Sequence, residues 1–298
     1  VAAKRKLSGV LTALVTPFRD GRLDEPALRR MVQRQLGAGV HGLVVCGSTG
    51  EAAAMTLEER LQAIRAVVAE AGGRAPVVAG TGSHNTAATV ELTARARDLG
   101  VDAALVVTPY YVKPPARGLV EHFRAVAGVG LDVVAYNVPS RTGVSLTPET
   151  AAELAGLERV VALKEASGDL WLDSRILAAV GDGLTLLSGD DFTFLPFLAI
   201  GGHGVISVVS NPAPALFVEL FTRFAAGDVA GARVLHHRLA PLMRALFLET
   251  NPMPVKAAMA ALGLCAEEIR PPLCPLADVH RPELARALAG CGLGEERP

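Results

Sequence analysis

The sequence carries no surplus of either charge. Its 29 lysines and arginines face 30 aspartates and glutamates, a formal net charge of −1. Without a basic excess a chain has little with which to hold a phosphate backbone, which argues against nucleic-acid binding. Long apolar runs are missing too. Half of the residues are hydrophobic, yet Gly, Arg, Asp or Glu breaks every run before the roughly 18 residues that a membrane helix needs. Residues 1–10 include Lys4, Arg5 and Lys6 but not the apolar stretch of a secretory signal. The four cysteines (Cys46, Cys265, Cys274 and Cys291) have no CxxC spacing, so reduced thiols in a cytoplasmic enzyme are expected. No GxGxxG follows the first strand, and neither HExxH nor a strand-1 HxH occurs. The seven histidines are scattered, with His236-His237 on a polar helical stretch that reads as solvated. A nucleotide-binding loop and a metal centre are therefore not expected.

What is present is a large apolar fraction, enough for a substantial core and against disorder as the main state. Val-rich apolar runs fall at 10–16, 42–47, 76–80, 103–108, 132–137, 160–165, 184–188 and 204–209. Each is apolar on both faces, as buried parallel strands are. Helical stretches alternate with them. In 56–72, Leu57, Leu61, Ile64, Val67 and Val68 form one stripe. Thr56 and Glu59 make a capping-box pattern. Thr147-Pro148-Glu149 places proline at a first helical position, and Gly39, Gly100 and Gly130 sit where helices should end. Eight strand–helix units are complete by about residue 226, and eight is the number that closes a barrel. An open doubly wound sheet is the alternative. After Gly227 the strands stop, while helical periodicity continues through 228–248, 252–263 and 282–290. The expected fold is thus α/β: a (β/α)8 TIM barrel over residues 1–227 with an appended C-terminal helical region over 228–298.

Chemistry in such barrels sits at the C-terminal ends of the strands. Strand 2 runs into Gly47-Ser48-Thr49-Gly50-Glu51. Hydroxyls between glycines, with a helix start just beyond, suit a small anion; an ordinary βα turn is the plainer alternative. Strand 4 runs into Tyr110-Tyr111 and strand 5 ends in Tyr136-Asn137, so all three tyrosines lie at strand ends. Arg141 follows in a polar loop, as a two-pronged grip for a carboxylate or as a solvated side chain. Lys164 is the one lysine of five that lies in a core strand, on the face of Val160 and Ala162. A buried lysine is costly unless its amine is neutral, and a neutral amine condenses with ketones and aldehydes. Snorkelling or pairing with an acid is the other possibility. Asp190 and Asp191, after strand 7, are expected to cap the next helix rather than to bind a metal. Gly201, Gly202 and Gly204 suggest tight packing or backbone access to a ligand.

The segments GSTGE (47–51), TPYY (108–111), YNVPSRTG (136–143), LKEASG (163–168), SGDD (188–191), GGHGVISV (201–208) and NPMPVK (251–256) resemble, in order and spacing, the dihydrodipicolinate synthase family. These are pyruvate-dependent Schiff-base lyases on a (β/α)8 barrel, and the resemblance runs from about residue 7 to 292. It implies that Lys164 forms an imine with pyruvate and that Tyr136 moves protons during imine formation and cyclisation. Thr49 and Tyr111 match the rest of a proton relay, with Tyr111 entering from a neighbouring subunit. Ser48 stands where the family's synthases often have Thr, and pyruvate's carboxylate would lie against the Ser48-Thr49 turn. Arg141 matches the arginine that receives the aldehyde's carboxylate. Gly189 and Ile206 match backbone positions lining the pyruvate pocket.

No cofactor beyond the covalent imine is implied. Arg141 with Tyr110-Tyr111 favours condensation of pyruvate with L-aspartate 4-semialdehyde, in the diaminopimelate route to lysine. The alternatives are a sugar-acid aldolase, of the sialic acid lyase or 2-keto-3-deoxy acid kind, and a non-catalytic paralogue that binds 2-oxo acids. The resemblance further implies a cytoplasmic homo-oligomer, a tetramer built as a dimer of dimers, without membrane or nucleic-acid partners. Positions of the family's lysine-inhibition cleft are Ala52, Leu57, Arg60, His84 and Ala88, with Tyr110 retained. Ala88 replaces the usual Glu and Arg60 would repel an ammonium, so weak or absent inhibition by lysine is expected.

Overall fold

The structure is a computed structural model that describes residue 4 and residues 6–294. Residues 1–3 and 5, part of the stretch read for a leader, and residues 295–298, the end of the expected helical region, lie outside the described residues. Eight parallel strands close into a barrel: β1 (Gly9–Ala13), β2 (Gly42–Val45), β3 (Val77–Gly80), β4 (Ala103–Val107), β5 (Asp132–Asn137), β6 (Val160–Glu165), β7 (Thr185–Ser188) and β8 (Gly204–Ser207). Their order around the barrel is β1-β8-β7-β6-β5-β4-β3-β2, and closure excludes the open sheet. One helix follows each strand: α1 (Glu25–Gly37), α2 (Leu57–Ala71), α3 (Thr86–Asp98), α4 (Ala116–Ala127), α5 (Pro148–Ala155), α6 (Leu170–Val180), α7 (Phe194–Ala199) and α8 (Pro214–Ala225). Beyond Gly227 come α9 (Val229–Ala245), α10 (Met253–Ala261) and α11 (Arg281–Gly290), close to the predicted helical stretches. Among the described residues no helix is long and apolar enough to cross a membrane.

Local signals behave as the sequence suggests. Thr56 Oγ1 accepts from the Glu59 amide at 3.2 Å, and Glu59 Oε2 accepts from the Thr56 amide at 2.9 Å, so the capping box is formed. Gly39, Gly100 and Gly130 turn the chain out of their helices at φ of 78°, 85° and 87°, where a Cβ would be strained. Strand β1 stops short of its predicted end because the Val15 amide donates to Asn211 Oδ1 rather than to a neighbouring strand. His237 is exposed as expected. His236 is half-buried, and burial holds its pKa below the ordinary imidazole value, which corrects the solvated reading.

The chain divides into two compact units. In the first, Val1–Gly9 with Pro76–Ile206, strands β3 to β7 pair in sequence with every strand residue buried or nearly so. A Cβ on Gly204 would lie 2.2 Å from the Gly9 carbonyl oxygen. That glycine therefore serves close backbone packing, one of its two predicted uses. The Lys4 ammonium donates to the carbonyls of Ala155, Leu157, Val160 and Gly183 at 2.7–3.2 Å. In the second unit, Val10–Ala75 with Ser207–Pro298, β1 pairs with β2 in the register Leu11↔Gly42.

Candidate active site

The first unit brings Lys164 and Tyr136 together. They are register partners on the adjacent strands β6 and β5, so their side chains leave the sheet on the same face. Lys164 Nζ lies 4.3 Å from the centre of the Tyr136 ring, and both residues are 7% exposed. Burial pushes the Lys164 pKa down to about 8. The Asp191 carboxylate works against that shift and the Arg141 guanidinium adds to it. The lysine therefore neither snorkels out nor forms a close ion pair among the described contacts, and at neutral pH about a tenth of it is free amine, far more than for an ordinary lysine.

Gly189 is where a side chain has no room: a Cβ there would stand 2.5 Å from Ala166 Cβ and 2.8 Å from Lys164 Cε. Its amide donates to the Glu165 carbonyl at 2.5 Å. The expected capping by the aspartates does not occur. Asp190 Oδ2 accepts from Thr193 Oγ1 and Oδ1 from the Phe192 amide, which shapes the turn ahead of α7, while α7 has no side-chain cap. Asp191 is buried and acts on Lys164 through its charge. Ile206 is buried in β8. Arg141 is exposed, in the single turn Pro139–Thr142 that follows β5. Tyr111 is 89% exposed, with a left-handed φ of 69°. Tyr110 stacks edge-on against His84 at 5.4 Å.

Next to the Lys164–Tyr136 pair along β5 and β6 lies a polar network that the sequence reading missed. Asn137 Nδ2 donates to Glu165 Oε1 at 2.8 Å, and Asn137 Oδ1 accepts from the Leu146 amide. Ser167 donates to Glu165 through both its amide and its hydroxyl. Asp173, buried in α6, also meets Glu165. Burial first, then the Glu165 charge and a hydrogen bond to it, push the Asp173 carboxyl up to about 8. It is thus protonated in the folded chain over a range in which an unfolded chain would ionise it. Folding takes up a proton there, so this group's contribution to stability falls as pH rises from about 4 to about 8, by up to about 1.4 kcal/mol per pH unit. Asp173→Asn is expected to flatten the loss of thermal stability between pH 5 and pH 8 and to melt higher than wild type at pH 8. Parallel pH slopes for the two proteins would show that Asp173 is ionised in the fold.

In the second unit the GSTGE segment forms a tight turn. Gly50 and Glu51 amides donate to the Gly47 and Ser48 carbonyls, both at 3.1 Å, and Thr16 Oγ1 donates to the Gly50 carbonyl at 2.7 Å. The expected helix start does not follow directly. A 3₁₀ turn, Ala52–Ala54, intervenes, and in the first turn of α2 the Glu59 amide already donates to Thr56. Ser48 is exposed and Thr49 buried. Asn251 Nδ2 donates to Thr49 Oγ1 at 3.0 Å. Glu51, left-handed at φ 55°, is fully buried between two donors: Lys256 Nζ on Oε1 at 2.5 Å and the Arg270 amide on Oε2 at 2.8 Å. Lys256 also donates to the Thr16 carbonyl, and it and Arg270 lie 4.4 and 4.3 Å from the Phe18 ring centre. Burial lowers the Lys256 pKa and Glu51 opposes that. Lys256, in the first turn of α10, is thus a second buried lysine, paired with an acid.

A closed eight-strand barrel holding a buried strand lysine beside a tyrosine is a recognisable enzyme class, the (β/α)8 amine-bearing barrels. Comparison with known proteins narrows it. Residues 6–290 match the Dihydrodipicolinate synthetase family, and the chain belongs to that family. It is 48% identical over 290 residues to the 4-hydroxy-tetrahydrodipicolinate synthase of Nitratidesulfovibrio vulgaris, covering 97% of this chain and 99% of the relative. It is 49% identical over 286 residues to the synthase of the same name from Thermomicrobium roseum, covering 96% and 95%. Among solved structures it resembles the chloride-inhibited dihydrodipicolinate synthase of Acinetobacter baumannii in complex with pyruvate, at TM-score 0.95 and 40% identity over 97% of this chain and 100% of the other. The Cyanidioschyzon merolae enzyme with lysine bound superposes at TM-score 0.93 with 37% identity, over 96% and 99%.

Proposed function

We propose that this chain condenses pyruvate with L-aspartate 4-semialdehyde, with loss of water, to give 4-hydroxy-tetrahydrodipicolinate. The observation that carries this reading is the Lys164 amine, buried, with its pKa lowered to about 8 and seated over the Tyr136 ring. The free amine attacks the keto carbon of pyruvate and expels its oxygen as water, leaving an iminium. Loss of a methyl proton gives an enamine, whose carbon attacks the aldehyde. The semialdehyde's own amine then displaces Lys164 and closes the ring. Tyr136 moves protons in these steps, and Thr49 and Tyr111 belong to the same relay, with Tyr111 supplied by a neighbouring copy. The exposure of Tyr111 suits that role. The Ser48-Thr49 turn receives pyruvate's carboxylate, Arg141 receives that of the aldehyde, and Gly189 and Ile206 line the pyruvate pocket through their backbones. Gly189 suits this because its missing side chain leaves the lysine stem uncovered.

The chemistry needs no cofactor. We assign catalysis to the barrel over 1–227 and treat 228–298 as its helical appendage. A cytoplasmic homo-oligomer, a tetramer of paired dimers, completes the reading. The deciding assay offers pyruvate with aspartate semialdehyde, against a panel of sugar acids for cleavage. Turnover of the sugar acids alone would replace the synthase by an aldolase.

Tyr136→Phe is expected to slow turnover by about 10²–10⁴-fold, the usual reach of a general acid–base group. Arg141→Ala is expected to lower kcat/KM for the aldehyde while pyruvate is still trapped on Lys164 at near wild-type rate. An equal loss in both measurements would move Arg141 out of the aldehyde site. Lysine is expected to inhibit weakly or not at all, because Ala88 offers no carboxylate and Arg60 brings a positive charge. Strong inhibition at sub-millimolar lysine in initial-rate assays would contradict this.

A further inference from the structure

We propose that the hydrogen bond between Asn137 and Glu165 is a positioning clamp that holds Tyr136 opposite Lys164, an inference that rests on the proton-moving role given to Tyr136 above. The four residues form two successive rungs of the β5–β6 ladder, Tyr136↔Lys164 and then Asn137↔Glu165. Successive side chains on a strand point to opposite faces, so the second rung leaves the sheet on the side away from the reacting pair. Lower in the ladder the pairing shifts. Val133 pairs with Val160 but Val134 pairs with Ala162, skipping Val161. The Val161 carbonyl accepts from the Thr185 hydroxyl instead, at 3.3 Å. Such a bulge uncouples the register above it from the register below, and a slip of one residue would turn Lys164 to the other face of the sheet. The register of the reacting pair is therefore set locally, at the end of the strands.

The second rung supplies what sets it. Asn137 Nδ2 donates to Glu165 Oε1 at 2.8 Å with both residues buried, and the Asn137 carbonyl accepts from the Ala166 amide at 2.9 Å. Each end of the clamp is anchored in turn. Asn137 Oδ1 accepts from the Leu146 amide at 2.9 Å, while Glu165 Oε2 accepts from the Ser167 hydroxyl at 2.8 Å and from its amide at 3.0 Å. With its oxygen committed to Leu146, the asparagine can face Glu165 only as a donor. Tyr136 and Lys164 are the chain neighbours of the two clamped residues, so loosening the clamp moves the ring and the amine relative to each other.

The test compares Asn137→Asp, Glu165→Gln and the double variant Asn137→Asp/Glu165→Gln with wild type, all as full-length protein. Asn137→Asp keeps the acceptor for Leu146 but sets a second acceptor against Glu165. In the double variant the glutamine amide donates to the new carboxylate, which restores the bond with its direction reversed and the net charge unchanged. Asn137→Asp is expected to lower kcat by about 10–100-fold, the usual scale for a misplaced reacting group, with KM for pyruvate within about threefold. Glu165→Gln, whose amide can turn its oxygen to Asn137, is expected to lose less. The double variant is expected to recover to within about fivefold of wild type. Labelling by pyruvate and borohydride separates position from charge. An added carboxylate alone shifts the pH at which the labelling rate levels off, whereas a displaced Tyr136 lowers the level itself. A lowered plateau in Asn137→Asp, restored in the double variant, is the expected result. A wild-type plateau in Asn137→Asp would overturn the proposal, and so would a double variant no faster than that single variant. Should Asn137→Asp not fold, as judged by thermal unfolding, Asn137→Ala replaces it, and a kcat for that variant within about twofold of wild type would overturn the proposal. A wild-type enzyme that pyruvate and borohydride leave unlabelled would instead overturn the functional reading, and the proposal with it.

Discussion

Lys164→Ala is expected to abolish labelling by pyruvate and borohydride and to reduce turnover by at least about 10³-fold, the scale on which loss of a covalent nucleophile is felt. The reduced adduct on the wild-type enzyme should map by peptide mass to the segment holding Lys164. The pH dependence of labelling has a fixed sign. Only the uncharged amine attacks, and its folded pKa is about 8, so the labelling rate should climb from pH 6 and level off above about 8. A rate that keeps climbing past pH 10 would mean an amine in ordinary solvent. Labelling of the Lys256 peptide in place of the Lys164 peptide would be equally damaging. Lys256 is as buried, but its nitrogen is held by a carboxylate and a carbonyl, which oppose the loss of its proton and occupy it.

Lys256→Met is expected to destabilise the protein by about 3–5 kcal/mol, because it strands the Glu51 carboxylate in the interior with a single backbone donor. Denaturant or thermal unfolding would measure this. The double variant Lys256→Met/Glu51→Gln should recover a good part of the loss, since a neutral amide tolerates the site far better than an unpaired charge. A single variant within about 1 kcal/mol of wild type would mean that the Glu51 carboxylate does not depend on Lys256. The pair is a scaffold and not a reactant, so residual folded enzyme should still label with pyruvate at Lys164.

The barrel was legible because each strand is buried on both faces, and such strands spell themselves as short Val-rich runs. The count of eight then left one way to close. Lys164 was legible for a related reason: in a chain poor in lysine, one set among Val160, Ala162 and Leu163 contradicts its surroundings. Lys256 sends no such signal. It sits on a helix, where a long cation ordinarily reaches water, and its partner Glu51 is 205 residues away. A separation of 202 residues likewise hides the bond between Asn251 and Thr49. Asp173 reads as the polar face of α6, and only tertiary packing places it against Glu165. Asp190 and Asp191 were misjudged because proximity to a helix start says nothing about which amide a carboxylate reaches. The charged and amide groups that pair across the fold are those that a one-dimensional pattern treats as surface.

The Glu51 carboxylate waits for an amide 219 residues further along the chain. Contacts of such separation pay a loop-closure penalty that local turns escape, and they set the pace of assembly. During synthesis the glycine-rich turn after β2 emerges early, but it stays without its tethers until Lys256 and Arg270 have left the ribosome. The shape of that turn is thereby tied to the arrival of the segment from Lys256 to Arg270.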